Sequence, residues 1–297
     1  MTSPEQLTAD FEQHRARLRG VAYRMLGSLS DADDAVQEAW LRLNRADAGE
    51  VDNLGGWLTT VVARVCLDML RSRKARREEA IESAVSGQPS AVAQHGTAAR
   101  DPEQEAMLAD SVGLALLVVL DTLEPAERLA FVLHDLFGVP FDEIAPIVSR
   151  SPEAARQLAS RARRRVCGHT ELPEGDLAMQ RDVISRFLAA LRAGDVEGIV
   201  AVLDPDVLVR VDAAGAAGGR AVELRGARTW ATGAVAFASM AQMMEPALVD
   251  GRVGIVLAPG GKLRRVVRVT MRRDRISEVD IIADPATLAG VDLGVLP

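Results

Sequence analysis

FDEIAPIVSRSPEAARQLASRARRRVC, residues 141–167, is the stretch on which the reading of this chain turns. Phe141, Ile144, Ala145 and Val148 recur at helical spacing along a short apolar stripe. Ser149-Arg150-Ser151-Pro152 then breaks the pattern as a tight turn, with Ser151 suited to cap the next helix and Pro152 to its first position, where the missing N–H is not needed. In the second helix Ala155, Leu158, Ala159, Ala162 and Val166 form one stripe. Glu153, Arg156, Gln157, Ser160, Arg161 and Arg164 form the opposite one. A short helix, a turn and a polar-faced helix make a helix-turn-helix, whose second helix can bring side chains to base edges in the major groove. Arg156, Arg161 and Gln157 are residue types that pair bidentately with guanine and adenine, and Arg163, Arg164 and Arg165 suit phosphates. An amphipathic helix pair with a merely basic rim would show the same stripe.

Upstream, Pro125 opens a helix that runs to about Phe137 and stops at Gly138, preceded by a helical pattern from Asp110 to Leu123. Between Glu78 and Glu105 periodicity dissolves into Ser, Gly, Gln, Ala and Pro with acidic residues and only Arg100 basic, which predicts a flexible acidic linker over 78–108. Further upstream lie three helices. The first spans Glu5 to Leu29. The second has Ala32, Ala35, Val36, Ala39, Trp40 and Leu43 inside and Asp34, Gln37, Glu38 and Leu41 outside. A loop from Arg45 to Gly56 contains Asn53. The third helix starts near Trp57 and presents Arg64, Asp68 and Arg71 opposite its apolar pairs. Downstream of a 169–178 linker, a helix from Met179 to Ala193 and a short one to Leu203 precede β-branched runs at Val207–Asp212, Val253–Leu257, Lys262–Arg272 and Arg275–Ile282. A helix near Ala227–Met240 lies among them. Helices followed by a curved antiparallel sheet predict a separate α+β domain over 179–297.

Length and charge fit this division. The 297 residues suit two or three domains of roughly 100 residues. The net charge of -7 taken as a total disfavours a nucleic-acid partner, but residues 179–297 hold 15 basic and 14 acidic side chains, so the negative excess lies entirely in 1–178. That acidic portion nonetheless carries two basic clusters, Arg71, Arg73, Lys74, Arg76, Arg77 and Arg156, Arg161, Arg163, Arg164, Arg165, which read as paired DNA contacts. No signal pattern and no membrane-length apolar run is seen, which predicts a cytoplasmic protein with no membrane contact. Cys66 and Cys167 read as two buried, reduced thiols. His14, His95, His134 and His169 match no ligand spacing, so no metal and no cofactor are expected.

The run Asp31-Ala32-Asp33-Asp34-Ala35-Val36-Gln37-Glu38-Ala39-Trp40-Leu41-Arg42-Leu43 resembles region two of the extracytoplasmic-function (ECF) sigma factors, and Trp57-Leu58 through Asp68-Met69-Leu70-Arg71 resembles the helix that follows it. Leu123-Glu124-Pro125-Ala126-Glu127-Arg128, Phe141-Asp142-Glu143-Ile144-Ala145 and Ser151-Pro152-Glu153-Ala154-Ala155-Arg156-Gln157-Leu158 resemble region four. The resemblance implies all-α regions two (1–77) and four (109–168). It implies a chain that binds core RNA polymerase, through the beta-prime clamp helices and the beta flap, and reads promoter DNA, and a monomer when free. Region two would grip polymerase through Asp34, Gln37, Glu38 and Leu41. It would open the minus-ten element with Asn53, Arg64, Arg71, Arg73, Lys74, Arg76 and Arg77. Region four would read the minus-thirty-five element with Glu153, Arg156, Gln157, Ser160, Arg161 and Arg164.

The last third resembles the SnoaL-like, or NTF2-like, cone domain carried by sigma-J-type members of that family. The resemblance rests on Leu172-Pro173-Glu174 in the linker, Gly218-Gly219-Arg220 in the sheet region and Asp284-Pro285-Ala286-Thr287-Leu288 near the end. These residues are implied to make interdomain regulatory contacts. Two alternatives stand beside this reading: a C-terminal domain that binds a small molecule or retains an enzymatic activity, and an operator-binding repressor. Against catalysis, residues 170–297 hold no His and no Tyr. A repressor leaves residues 5–77 unexplained.

Overall fold

The computed structural model describes residues 4–45, 53–85, 113–168, 170 and 172–296. They fall into two compact units, one of residues 1–108 with 123–163 and the other of 109–122 with 164–297.

The first unit is helical. Helix α1 (Pro4–Leu26) packs on α2 (Leu29–Arg45) and on α3 (Leu54–Val85). Ala32, Ala35, Val36, Ala39 and Leu43 of α2 are buried as the periodicity predicts, while Trp40 is half-buried and meets Phe11 with ring centroids 4.9 Å apart and planes tilted by 51°. Helix α3 departs from expectation at both ends. It starts before Trp57 because Asn53 caps it, its side-chain oxygen accepting the Gly56 N–H at 2.9 Å. It runs to Val85, through the first residues of the expected flexible linker; the remaining linker residues 86–108 lie outside the described residues, as do 46–52 of the expected loop. Cys66 is buried, with its thiol pushed up to about 12 by that burial, but Cys167 is exposed, so only one of the two expected buried thiols is found.

The chain re-enters this unit with α5 (Pro125–Phe131), which continues as a π-helical turn over Val132–Leu136. Gly138, at φ +70°, ends it. Then come α6 (Phe141–Val148), closed by Ser149 in the left-handed region at φ 56°, and α7 (Pro152–Cys167). Ser151 Oγ accepts the Ala154 N–H at 3.2 Å, so the predicted cap forms.

The second unit is α+β, as expected. Its sheet runs β2 (Val222–Arg225), β1 (Leu203–Val211), β6 (Arg275–Ile282), β5 (Arg265–Arg272), β4 (Arg252–Leu257), β3 (Met244–Val249), β7 (Leu293–Gly294). All neighbours are antiparallel except β1 and β6, which pair in parallel with Val209 opposite Val279, so the sheet is mixed rather than wholly antiparallel. Helix α8 (Glu174–Ala193) starts inside the expected 169–178 linker, with Pro173 at its N-cap and Glu174 and Asp176 in its first turn. Together with α9 (Val196–Val202) and α10 (Ala227–Ala234) it covers one face of the sheet. That side is packed solid. Phe187 and Trp230 stack at 5.5 Å among Val207, Val209, Ile255, Leu257, Val267 and Val269.

The alternate residues Ala247, Val249, Val256 and Val266 point the other way and are buried too. On that side lies α4 (Leu114–Thr122), packed on β3, β7 and the turn at Pro259–Gly261, with Glu245 accepting the Ala115 N–H at 3.3 Å. A helix apolar all round, as LALLVVLDT is, needs such a cover. Beside it Val295 donates to the Val166 carbonyl at 2.7 Å, and Gly168 meets Gly294 so closely that a Cβ on Gly294 would sit 2.5 Å from the Gly168 Cα. A short α11 (Ala238–Ala241) and α12 (Pro285–Leu288) complete the unit. Among the described residues, no helix is long and apolar enough to cross a membrane.

At one end of this sheet Asp212 accepts three backbone N–H groups, from Gly215 at 2.6 Å, Ala283 at 2.7 Å and Asp284 at 2.8 Å. Partial burial pushes its carboxyl upward, but these donors and the nearby Arg265 outweigh that and hold it below the usual carboxylate range. A depressed folded pKa contributes stability above the unfolded value near 3.9 and loses it as pH falls through the lower folded one. Asp212→Asn should cost about 1–3 kcal/mol at pH 7, speed hydrogen exchange at Gly215, Ala283 and Asp284, and lie closer to wild type in denaturant midpoint at pH 3 than at pH 7. Unaltered exchange at those amides would remove Asp212 as the tie.

Candidate nucleic-acid and polymerase interfaces

Helix α7 divides as the sequence predicts. Ala155, Ala159, Ala162 and Val166 are buried and Leu158 is half-buried, whereas Glu153, Arg156, Gln157, Ser160, Arg161 and Arg164 are all exposed along the other side. The exposed residues are not equivalent. Arg161 Nε donates to Glu127 Oε1 at 2.7 Å, and the Glu127 side chain is only 9% exposed, so this arginine answers a buried carboxylate. Arg163 is bound to Asp135 in the same way. Arg156 instead pairs with its helix neighbour Glu153 at 2.5 Å and lies over the Phe141 ring, while Gln157, Ser160 and Arg164 stay on the open face.

The expected minus-ten residues separate likewise. Arg64, Arg71, Lys74 and Arg76 are exposed along α3; Arg77 lies within the helix, its side chain outside the described residues. Arg73 turns inward, with Asp31 at 2.6 Å and the Leu26 carbonyl at 3.2 Å, so it braces the α1–α2 corner. Lys74 binds Glu124 at 2.7 Å. Asn53, besides capping α3, lines a cleft of about 290 Å³ with His14, Arg17, Thr59, Val139 and Glu143. The expected polymerase face is open: Asp34 and Gln37 are exposed, Leu41 is 41% exposed, and Glu38 pairs with Arg42 at 2.8 Å.

Of the three motifs expected to make regulatory contacts, the last is tied at the Asp284 N–H to Asp212, whose carboxylate also binds Gly215 in the loop that goes on to Gly218, Gly219 and Arg220. Asp284 in turn caps α12, accepting from Thr287 N at 2.8 Å; Pro285 takes the first helical position and Leu288 the last. Leu172 lies apart from them, half-buried against the core, next to Pro173 and Glu174 at the start of α8. Sequence reasoning passed over Asp31, Glu124, Glu127 and Asp212. The first three stood inside runs quoted for resemblance, but their partners lie far off in the chain.

Known proteins resemble this chain over both helical regions and along its length. The Sigma-70 region 2 model matches residues 11–76, and the Sigma-70 region 4 model matches residues 113–166. The ECF RNA polymerase sigma factor SigJ of Mycobacterium tuberculosis is 38% identical over 96% of this chain and 94% of its own length. The probable ECF RNA polymerase sigma factor SigI of the same species is 33% identical over 97% of both. The crystal structure of M. tuberculosis SigJ covers 95% of this chain and 98% of that one, at 31% identity and a TM-score of 0.45. With two relatives similar along nearly their whole length and both region models matched in order, the chain belongs to the ECF RNA polymerase sigma factors.

Proposed function

We propose that this sigma factor reads the minus-thirty-five element through the exposed face of α7, chiefly with Arg156, Gln157, Ser160 and Arg164. Arg64, Arg71, Lys74 and Arg76 of α3, with Asn53, engage the minus-ten region, and the open side of α2 docks on core polymerase. The observation that carries this reading is the division of α7, with alanines sealed below and base-reading and phosphate-binding side chains exposed above. An acidic face with a protruding leucine on α2 suits a protein partner and repels DNA. The α+β unit acts in cis on promoter use. Its tail strand β7 and Val295 hold the end of α7, and the packed inner face of its sheet favours a regulatory role over a catalytic one.

Transcription with purified core polymerase tests the whole reading, since a sigma factor makes core initiate and a repressor cannot. Within it, Arg156→Ala should weaken minus-thirty-five recognition by about 1–3 kcal/mol with folding intact. Arg161→Ala should mainly destabilise the helix-turn-helix, because it leaves Glu127 buried without this cation. Promoter binding by the polymerase complex and thermal unfolding separate the two effects; equal recognition by Arg156→Ala and wild type would move the reading face elsewhere.

Reversing Asp34 and Glu38 to Lys should reduce association with core polymerase while circular dichroism keeps its helical signal. A pull-down at wild-type level would take this face out of the interface. Removing residues 284–297, which takes away β7 and the bond from Val295 to Val166, should raise transcript yield, and removing everything beyond Gly168 should lower it. Equal yield from all three chains would make the α+β unit a passenger.

A further inference from the structure

One aromatic side chain of the helix-turn-helix is neither in its core nor on its open face. Phe141, the first residue of α6, is half-buried. Its ring stacks on the His134 imidazole with centroids 3.9 Å apart and planes 28° apart, and the Arg156 guanidinium carbon stands over it, 5.4 Å from the centroid. His134 is itself held. It belongs to the π-helical turn over Val132–Leu136, and its Nδ1 lies 3.0 Å from the Val139 carbonyl; a carbonyl only accepts, so Nδ1 carries the proton there and donates. On its far side Arg156 is tethered to Glu153.

We infer that Phe141 is a positioning residue for promoter reading, and that with His134 beneath it the ring presets the Arg156 guanidinium for bidentate contact with a base. An exposed arginine gives up rotamer freedom whenever its planar fork docks on a base edge. A ring under the guanidinium and a carboxylate beside it remove part of that loss before DNA arrives, which favours the matched base over all others. The π-helical turn has a purpose in this arrangement: widening one turn of the α5 extension sets His134 against a residue of the next helix.

This inference rests on the assignment of Arg156 to base reading. The test uses the full chain assembled with core polymerase and promoter fragments carrying each single-base change across the minus-thirty-five element. Phe141→Leu should reduce discrimination at the base that Arg156 reads by about two- to fivefold, with affinity for the mismatched fragments and the melting temperature close to wild type. Phe141→Tyr, which keeps the ring, should restore discrimination. In an Arg156→Ala background Phe141→Leu should do nothing more. Wild-type discrimination by Phe141→Leu, failure of Tyr to restore it, or an equal loss in the Arg156→Ala background would overturn the inference while leaving Arg156 as a reader. Full discrimination by Arg156→Ala itself would overturn the reader assignment and the inference together.

Discussion

A guanidinium buried among helices has to be answered by polar groups, and in this protein the requirement falls on Arg128, which is 2% exposed. Its Nε donates to the Arg24 carbonyl at 3.1 Å, in the last turn of α1, where carbonyls lack helical partners and the helix dipole favours a cation. The same charge lies close enough to Cys66 of α3 to oppose the rise of its thiol. One residue earlier, Glu127 receives Arg161 of α7. A polar axis thus runs from the end of α1 through α5 to α7, beside the apolar core of the unit. Apolar contacts tolerate sliding; a buried, directionally bonded ion does not, so the axis helps set the register of the helix-turn-helix on α1 and α3.

The second unit solves a different problem. An antiparallel sheet usually leaves one face to water, but here both faces of the β3–β5 side are buried, one under α8 and its neighbours and the other where α4 packs. Helix α4 falls within the region-four match, yet its apolar surface is spent on the sheet. It is followed within three residues by α5, whose partners are α1, α3 and α7. Packing and family motif therefore divide the chain differently, and the few residues at Leu123 and Glu124 join two separately stabilised units.

What was legible in the sequence was what periodicity and local chemistry encode. The α7 stripes, the Ser151 cap, the Pro125 start and the Gly138 stop depend on neighbours within one or two turns, and each was readable from them. Partners distant in the chain were not. Nothing in Leu203–Val211 announces that β6 will lie beside it in parallel, and the alternating polar VELR of β2 is too short and charged to stand out as a strand. Helix α3 outran its expected end because Arg, Glu and Ala sustain a helix as readily as they compose a linker. The candidate site was legible as a list of faces but not as a set of roles. For Arg161 and Arg73 the sequence shows the face but not the carboxylates that bind them, Glu127 and Asp31, which come from distant parts of the chain.

Those internal pairings alter how the protein trades charge with its surroundings. A solvated arginine that neutralises a phosphate displaces cations condensed on the DNA, and the entropy of their release makes affinity fall with salt by a slope of about 0.9 per contact. Lys74 and Arg163 already hold a carboxylate, Glu124 and Asp135. If either meets a phosphate it must first leave that partner, whose bared charge then recruits a cation from solution and offsets the one released. Phosphates counted from a salt titration would in that case fall short of the cations in contact with DNA.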